Sequence, residues 1–234
     1  MNWYYTPDAP APAVAELTIG LMLSLLRGIC LADRNMHNGK WYRIFGKRLS
    51  ECTVGLIGIG RIGKLVIKHL MGFAPHKILV NDLIIDEKFK NYYSKQLEWT
   101  DKESIYRKAD IISLHVPLTT LTNNLITKQE ISLMKPTAVL INTSRGGIVN
   151  EEDLANALSK SLINAAAIDT FIQEPYYGEL TKLANCILTS HMGSMSVDCR
   201  YQMELAATQE VIRFLKGEPL QNLVPDSELN QILY

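Results

Sequence analysis

Residues 53–63 read TVGLIGIGRIG, and this stretch decides the fold. Its first part is short, apolar and rich in β-branched residues, which is typical of a buried strand. Glycines at positions 58, 60 and 63 follow at once, and a helical pattern begins at Arg61. A strand that turns through glycines into a helix favours a parallel sheet with helices on its faces.

Apolar strands and helical segments continue to alternate along the chain, as they do where crossover helices join parallel strands. The sequence therefore predicts an α/β fold with a doubly wound, Rossmann-type parallel sheet. We expect this domain to span residues 1–225 and a tail to follow at 226–234. The predicted strands lie at 53–58, 77–82, 109–118, 137–144, 163–171 and 186–191, and the predicted helices at about 12–28, 61–71, 101–109, 150–160 and 197–216.

The helix predicted at about 12–28 is apolar around nearly its whole circumference. Such a helix is expected to be buried on more than one side. It needs a large partner surface, which is either the rest of this domain or a second subunit. Since a symmetric dimer is the commonest soluble oligomer, we expect a homodimer.

Composition excludes several classes of protein. Lysine plus arginine number 24, as do aspartate plus glutamate, so no basic excess points to nucleic acid. The apolar run at 17–26 follows acidic residues and is shorter than the ~20 residues of a membrane span. The four cysteines form no C-x-x-C pair, which predicts no metal site and fits a reducing compartment. We expect a cytoplasmic protein without membrane or nucleic-acid partners.

The glycines form the pattern G-x-G-x-x-G, which is weak alone and gains weight from the strand before it and the helix after it. Gly58 would permit the tight turn, Gly60 would let the backbone approach a pyrophosphate, and Gly63 would let helix and strand pack closely. The helix N-terminus would then hold the phosphates. Asp82, nineteen residues after Gly63, would accept hydrogen bonds from the adenosine ribose, and its charge favours NAD over NADP.

A second group of polar residues lies where the later strands are predicted to end. Ligands of open α/β sheets bind at the carboxyl ends of the strands, so these side chains should face one crevice. A lone histidine at a strand end is more often structural, and the prediction rests on the joint placement of the group. Its members are His115, Pro117, Asn142, Thr143, Ser144, Arg145, Asp169, Glu174 and His191.

Six segments of the chain stand in a characteristic order and spacing: PAPAVAELTIGLMLSLLR, GLIGIGRIG, LHVPLTTLTNNLI, LINTSRGGIVNEEDLANAL, AAIDTFIQEP and LTSHMGS. In this order and spacing the chain resembles the D-isomer-specific 2-hydroxyacid dehydrogenase family, from about residue 9 to residue 224, and it looks most similar to the phosphoglycerate dehydrogenase branch. The resemblance implies an NAD-dependent oxidoreductase that transfers hydride between NAD(H) and a small 2-hydroxy or 2-oxo acid, with 3-phosphoglycerate as one candidate. It also implies that the predicted sheet forms the cofactor domain only.

The resemblance also implies roles for single residues. His191 matches the acid/base histidine, Glu174 matches the carboxylate that pairs with it, and Arg145 matches the arginine that grips the substrate. Imidazole suits proton transfer near neutral pH, and a guanidinium fork suits a 2-oxo acid. The cofactor-binding set is Gly58, Gly60, Arg61, Ile62, Gly63, Asp82, His115, Val116, Pro117, Thr122, Thr143, Ser144, Arg145, Asp169, His191 and Gly193.

Two departures from the family bear on activity. Thr189-Ser190-His191 stands where the family usually has Thr-Pro-His, and we expect a small effect. Family members carry a substrate lobe before the long helix, which this sequence would lack. We therefore expect cofactor binding with weak or undetectable turnover. The alternative function is a non-catalytic, NAD-responsive module that resembles the family's corepressors, although the complete catalytic trio argues against it.

Overall fold

A single sheet of seven parallel strands organises the chain. The computed structural model describes residue 6, residues 8–221 and residues 223 and 224; the predicted tail at 226–234 lies outside the described residues. The strand order is β3-β2-β1-β4-β5-β6-β7, which confirms the predicted doubly wound, Rossmann-type sheet. The strands are β1 Thr53–Ile57, β2 Lys77–Asn81, β3 Leu97–Trp99, β4 Ile111–Leu114, β5 Val139–Asn142, β6 Ala165–Ile168 and β7 Cys186–Leu188.

The strand order places a crevice at the centre of the sheet. After β1 the chain builds outward through β2 and β3, and it then returns to the other side of β1 with β4. The connections that leave the carboxyl ends of β1 and β4 therefore diverge, and ligands of doubly wound sheets bind at such a point. The predicted extent of the domain, 1–225, stays a prediction.

Helices cover both faces of the sheet. Met22 of α1 and Ile67 of α3 pack with Leu56 of β1 on one face. Ile105 of α5 and Leu154 of α7 belong to the core on the opposite face. The helices are α1 Ala11–Arg27, α2 Ile29–His37, α3 Arg61–Met71, α4 Glu87–Tyr92, α5 Lys102–Lys108, α6 Lys128–Leu133, α7 Glu151–Ser159 and α8 Val197–Lys216.

Four elements escaped the sequence analysis: the helices α2 and α6, and two elements that lie between β2 and α5. The polar stretch there contains the short helix α4 and the edge strand β3. The strand has three residues, of which Leu97 alone is buried, so it has too little apolar alternation to be read from its pattern. The side chain of Asp86 caps α4 by accepting the N–H of Phe89.

The long apolar helix ends at Arg27, close to its predicted end. Gly28 follows with a φ of +61°, and the chain bends by 64° into α2. No single helix among the described residues is long and apolar enough to cross a membrane, and α1 and α2 reach that length only together, across the bend. Seven residues of α1 are buried in this chain: Ala11, Val14, Ala15, Thr18, Ile19, Leu21 and Met22.

Of the two partner surfaces considered for the long helix, its own domain supplies most of the cover, because α1 packs on α3, β5 and β6. Three large exposed aromatic side chains lie close together elsewhere, in the segment after α2. Trp41, Tyr42 and Phe45 are each at least 70% exposed. Helix α8 also presents apolar side chains to solvent, since only Cys199 and Glu210 are buried among its described residues.

The close approach of β1 and α3 depends on Gly63. A Cβ at this position would lie 2.2 Å from the carbonyl oxygen of Gly58, which no relaxation of a side chain could relieve. We expect Gly63→Ala to lower the free energy of unfolding by about 1–3 kcal/mol, the usual range for overpacking, as measured by urea denaturation.

Gly60→Ala is the matched control, since a Cβ there meets no atom within 4 Å. Its free energy of unfolding should stay within about 1 kcal/mol of wild type. Equal losses in the two variants would contradict the packing argument.

Candidate functional site

The glycine turn joins β1 to α3 at the carboxyl edge of the sheet. Gly58 has a φ of +97°, and a Cβ there would lie 2.4 Å from the carbonyl oxygen of His115, so the position requires glycine. Gly60 borders open space instead. No side chain caps the first turn of α3, so the N–H groups of that turn can bind an anion. The three glycines thus have the spatial properties that the motif predicts.

Arg61 begins α3 and points its guanidinium across the turn. Its Nε lies 2.7 Å from a carboxylate oxygen of Asp8, just before α1. Both side chains are more than half exposed, and such pairs contribute little to stability. Ile62 packs against the core between α1, α3 and the sheet, so its contribution to a cofactor would come from its backbone.

Asp82 follows β2 and is bound to the glycine turn. One carboxylate oxygen accepts the N–H of Ile59 at 2.5 Å, and the other accepts the N–H of Ile84 at 2.9 Å. Each oxygen keeps acceptor capacity for a further donor, such as a ribose hydroxyl. The carboxylate therefore stiffens the glycine turn in addition to the ribose contact that the sequence predicts.

Side chains after β4 shape their own loop. The imidazole Nε2 of His115 lies 2.9 Å from the hydroxyl of Ser113, and burial lowers the pKa of His115 to about 4, so this ring is neutral at pH 7. The hydroxyl of Thr122 donates to the carbonyl of Pro117 and accepts the N–H of Thr119. His115 and Thr122 can thus serve a cofactor chiefly by fixing the backbone beside it.

The segment after β5 is held by buried polar contacts. The hydroxyl of Thr143 lies 3.0 Å from that of Thr18 on α1, and both residues are buried. The hydroxyl of Ser144 lies 2.8 Å from the side-chain oxygen of Asn142, whose amide nitrogen donates to the carbonyl of Arg145 at 2.9 Å. These contacts leave the Arg145 side chain exposed, with one N–H bonded to the Ser144 carbonyl.

Asp169, at the end of β6, organises the turn that follows β7. Its side chain is buried, and one oxygen accepts the hydroxyl of Thr189 at 2.6 Å and the N–H of Met192 at 2.9 Å. The other oxygen accepts the N–H of Gly193 at 3.0 Å. His191 donates its N–H to the Asp169 carbonyl at 2.8 Å. Asp169, one of the predicted cofactor-binding residues, thus holds the turn that carries His191.

His191 and Glu174 form a hydrogen-bonded pair at the mouth of the site. The distance from Nδ1 of His191 to a carboxylate oxygen of Glu174 is 2.9 Å, and the other oxygen accepts the N–H of Phe171 at 3.0 Å. Burial raises the pKa of Glu174, but these hydrogen bonds and the charge of Arg145 outweigh it and leave that pKa below its ordinary value. An ionised Glu174 fixes the proton on Nδ1, so Nε2 is the atom available to a substrate.

The backbone at His191 has an unusual conformation. Its φ is +50°, a conformation that non-glycine residues seldom adopt. Beside the pair lies a cleft of about 560 Å³. The cleft is lined by Phe171, Glu174, Pro175, Tyr176, Thr181, Leu188, Thr189, Ser190 and His191.

The predicted residues all follow the carboxyl ends of strands, and the structure brings His191, Glu174 and Arg145 close enough for their charges to interact. Asn142 was expected at this edge, but no role was predicted for it, and its amide donates to the Arg145 carbonyl. Glu151, which accepts the N–H of Ile172 at 2.7 Å, was outside the predicted group because it was read only as part of a helix. The sequence signal that could have found Glu151 is its position as the first residue of the helix that follows the Ser144–Arg145 turn.

We expect Asp169→Asn to disturb the His191 turn, because an amide nitrogen cannot accept the N–H groups that the carboxylate now binds. A lost hydrogen bond to a buried charge costs about 1.5–3 kcal/mol, so the free energy of unfolding should fall by at least that amount. Amide hydrogen exchange at Met192 and Gly193 should accelerate.

Thr189→Val is the control, because it removes one donor to Asp169 and keeps the carboxylate. If exchange at Met192 and Gly193 were as fast in this variant as in Asp169→Asn, the carboxylate would not be what fixes the turn.

The sequence profile of the NAD binding domain of D-isomer specific 2-hydroxyacid dehydrogenases matches residues 19–193. A glyoxylate reductase from Thermofilum pendens is 40% identical over 223 residues, which cover 92% of this chain and 65% of that protein. A D-3-phosphoglycerate dehydrogenase from Methanocaldococcus jannaschii is 36% identical over 221 residues, which cover 93% of this chain and 42% of that protein.

A solved structure supports the same assignment. The D-lactate dehydrogenase from Lactobacillus jensenii, determined with NAD+, has a TM-score of 0.85 at 27% identity, and the match covers 96% of this chain and 72% of that one. The profile covers most of the chain, and the relatives share the family's activity class by name. The chain therefore belongs to the D-isomer specific 2-hydroxyacid dehydrogenases, and the matched residues form their NAD binding domain.

Proposed function

We propose that this chain binds NAD(H) and transfers hydride between it and a small 2-hydroxy or 2-oxo acid. The observation that carries the proposal is the 2.9 Å contact between His191 and Glu174. His191 lies on the turn that the buried Asp169 holds by hydrogen bonds. Because the chain spans 65% of the glyoxylate reductase and 42% of the phosphoglycerate dehydrogenase, the activity of the whole protein is part of the proposal.

The glycine turn fits the cofactor's diphosphate. Open space beside Gly60 allows the backbone to approach it, and the first turn of α3 offers N–H groups that no side chain caps. Asp82 stands at the end of β2, where its remaining acceptor capacity suits ribose hydroxyls. A carboxylate at this position repels a 2′-phosphate, which supports NAD as the preferred cofactor.

The proton chemistry follows from the His191–Glu174 pair. NADH, when bound, supplies the hydride to the carbonyl carbon. Protonated His191 gives its Nε2 proton to the carbonyl oxygen, so a 2-oxo acid becomes a 2-hydroxy acid. The ionised Glu174 stabilises the imidazolium before this transfer and keeps the ring oriented throughout it. In the oxidative direction the neutral ring takes the hydroxyl proton.

Arg145 would orient the substrate. Its guanidinium is exposed at the carboxyl edge of the sheet, and its charge reaches Glu174. A guanidinium can bind a carboxylate and a neighbouring carbonyl through two parallel N–H groups, which an ammonium cannot reproduce. This two-point contact supports a 2-oxo acid as the substrate class. Glyoxylate and the oxidised form of 3-phosphoglycerate are the candidates, after the names of the two relatives.

The test begins with an NADH titration followed by energy transfer from tryptophan to the bound cofactor. We expect saturable binding, and at least about a tenfold weaker binding in Asp82→Ala, because the variant loses contacts of a charged acceptor. Asp86→Ala is the control, since it removes an exposed carboxylate from the same connection. Each candidate acid is then added, and NADH oxidation is followed by absorbance.

Oxidation should depend on His191 and should be lost in His191→Gln while NADH still binds. The expectation of weak turnover stays a prediction that the same assay checks. A folded wild-type chain that shows no saturable NADH binding would overturn the proposed function. Binding without turnover agrees with the expectation of weak or undetectable turnover, and a partner pull-down that depends on NADH would then favour a cofactor-responsive module.

We also propose a second copy of this chain as a partner. The support lies in Trp41, Tyr42 and Phe45, which expose large aromatic surfaces in one short segment. Sedimentation at micromolar concentration should give twice the mass of one chain, and Phe45→Ser should shift it toward the monomer. Tyr92→Ser, which removes an exposed aromatic ring elsewhere, should leave the mass unchanged, and a monomeric wild type would refute the dimer.

A further inference from the structure

Two neighbouring backbone N–H groups in the connection after β6 donate to two different glutamates. Phe171 donates to Glu174 at 3.0 Å, and Ile172 donates to Glu151 at 2.7 Å. Glu174 belongs to the same connection, whereas Glu151 is the first residue of α7, which follows β5. The segment that carries Glu174 is therefore bound to a separate element of the fold.

The element that supplies Glu151 is firmly anchored. Asn150 caps α7 by accepting the N–H of Asp153, and Leu154 and Leu158 are buried in the core. The same β5–α7 connection touches the segment a second time, because a Cβ at Gly146 would lie 2.0 Å from the carbonyl oxygen of Phe171. Glu151 thus links an otherwise exposed connection to a helix that is packed in the core.

The pKa values of Glu151 and Glu174 shift in opposite directions. Burial and the charge of Glu174 raise the pKa of Glu151, while the Ile172 N–H partly offsets them. The pKa of Glu174 is lowered, so as pH falls Glu151 is protonated before Glu174. The other titratable and charged groups near the two carboxylates are His191 and Arg145, which lower the pKa of Glu174, and Tyr176. The pKa of Tyr176 is raised by burial and by the charges of Glu151 and Glu179.

We infer that Glu151 is a positioning residue for the His191–Glu174 pair. By holding the Ile172 N–H, it fixes the backbone so that the Phe171 N–H meets one oxygen of Glu174 and His191 meets the other. The functional value of this contact rests on the proposed function, but the contact itself needs neither cofactor nor substrate. It can therefore be tested on the free protein.

Three substitutions separate position from charge. Glu151→Ala removes both the acceptor and the charge, Glu151→Asp keeps the charge but withdraws the acceptor by one methylene, and Glu151→Gln keeps the acceptor and removes the charge. Glu152→Ala is the matched control, because Glu152 is an exposed acid in the same helical turn.

The readouts are spectroscopic. Carbon-13 NMR follows the titration of the Glu174 carboxyl, assigned by its loss in Glu174→Gln, and nitrogen-15 NMR follows the hydrogen-bonded Nδ1–H of His191. We expect Glu151→Ala and Glu151→Asp to raise the pKa of Glu174 by about half a unit or more and to weaken the Nδ1–H signal, because hydrogen bonds to Glu174 are lost.

Glu151→Gln should keep the Nδ1–H signal of wild type and should not raise the pKa of Glu174, because it keeps the acceptor and removes a neighbouring negative charge. Glu152→Ala should resemble wild type in both readouts. If Glu151→Ala and Glu151→Gln behaved alike while Glu151→Asp matched wild type, the role would be electrostatic and the inference wrong. An unchanged Glu174 titration in folded Glu151→Asp would overturn it as well, and this variant decides the matter if Glu151→Ala does not fold. A chain that fails the NADH test can still pass this one.

Discussion

The buried carboxylate of Asp169 is the constraint on which the rest of the site depends. A charge without partners in the interior is costly, and this one is bound by the hydroxyl of Thr189 and the N–H groups of Met192 and Gly193. All of these donors lie on the turn after β7. The turn therefore has little freedom, and the unusual positive φ of His191 is imposed by its neighbours.

The exposed and the buried polar side chains of the site make different contacts. The side chains placed to meet a ligand, Arg145, Glu174 and His191, are exposed or about half exposed. The polar side chains behind them are buried or partly buried and bind backbone groups, as Asn142 binds the Arg145 carbonyl and Glu151 binds the Ile172 N–H. Reacting groups must meet solvent and substrate, whereas their supports must exclude water to keep hydrogen bonds strong.

Much of the fold could be predicted because its information is local. Each buried strand is a short apolar run, and the glycine pattern states where the backbone must turn and where it must pack closely, as at Gly58 and Gly63. The edge strand β3 was missed because only Leu97 in it is buried. The end of the long helix at Arg27 was predicted closely, but α2 beyond the bend at Gly28 was missed, because none of its residues is buried and its pattern shows no core-facing side.

The shared edge of the candidate site residues was predictable, whereas the contacts that support them were not. Polar residues that follow strands were expected to share one edge, and they do. Their partners were not foreseeable, because Thr18 meets Thr143 across 125 residues and Glu151 meets Ile172 across 21. Such contacts depend on how helices dock on the sheet, and a single sequence carries no local sign of that docking.

The parallel register of the strands aligns the segments that form the site. Ile57 pairs with Leu114, and Asn142 pairs with Ile168, so β1, β4, β5 and β6 end at one level. Each functional segment begins within a few residues of that level. A strand shifted by one residue would turn its side chains to the opposite face and move its segment off the edge. The L. jensenii enzyme keeps this backbone at 27% identity, as expected if strand ends and a few buried hydrogen bonds constrain the site more than the identity of each core side chain.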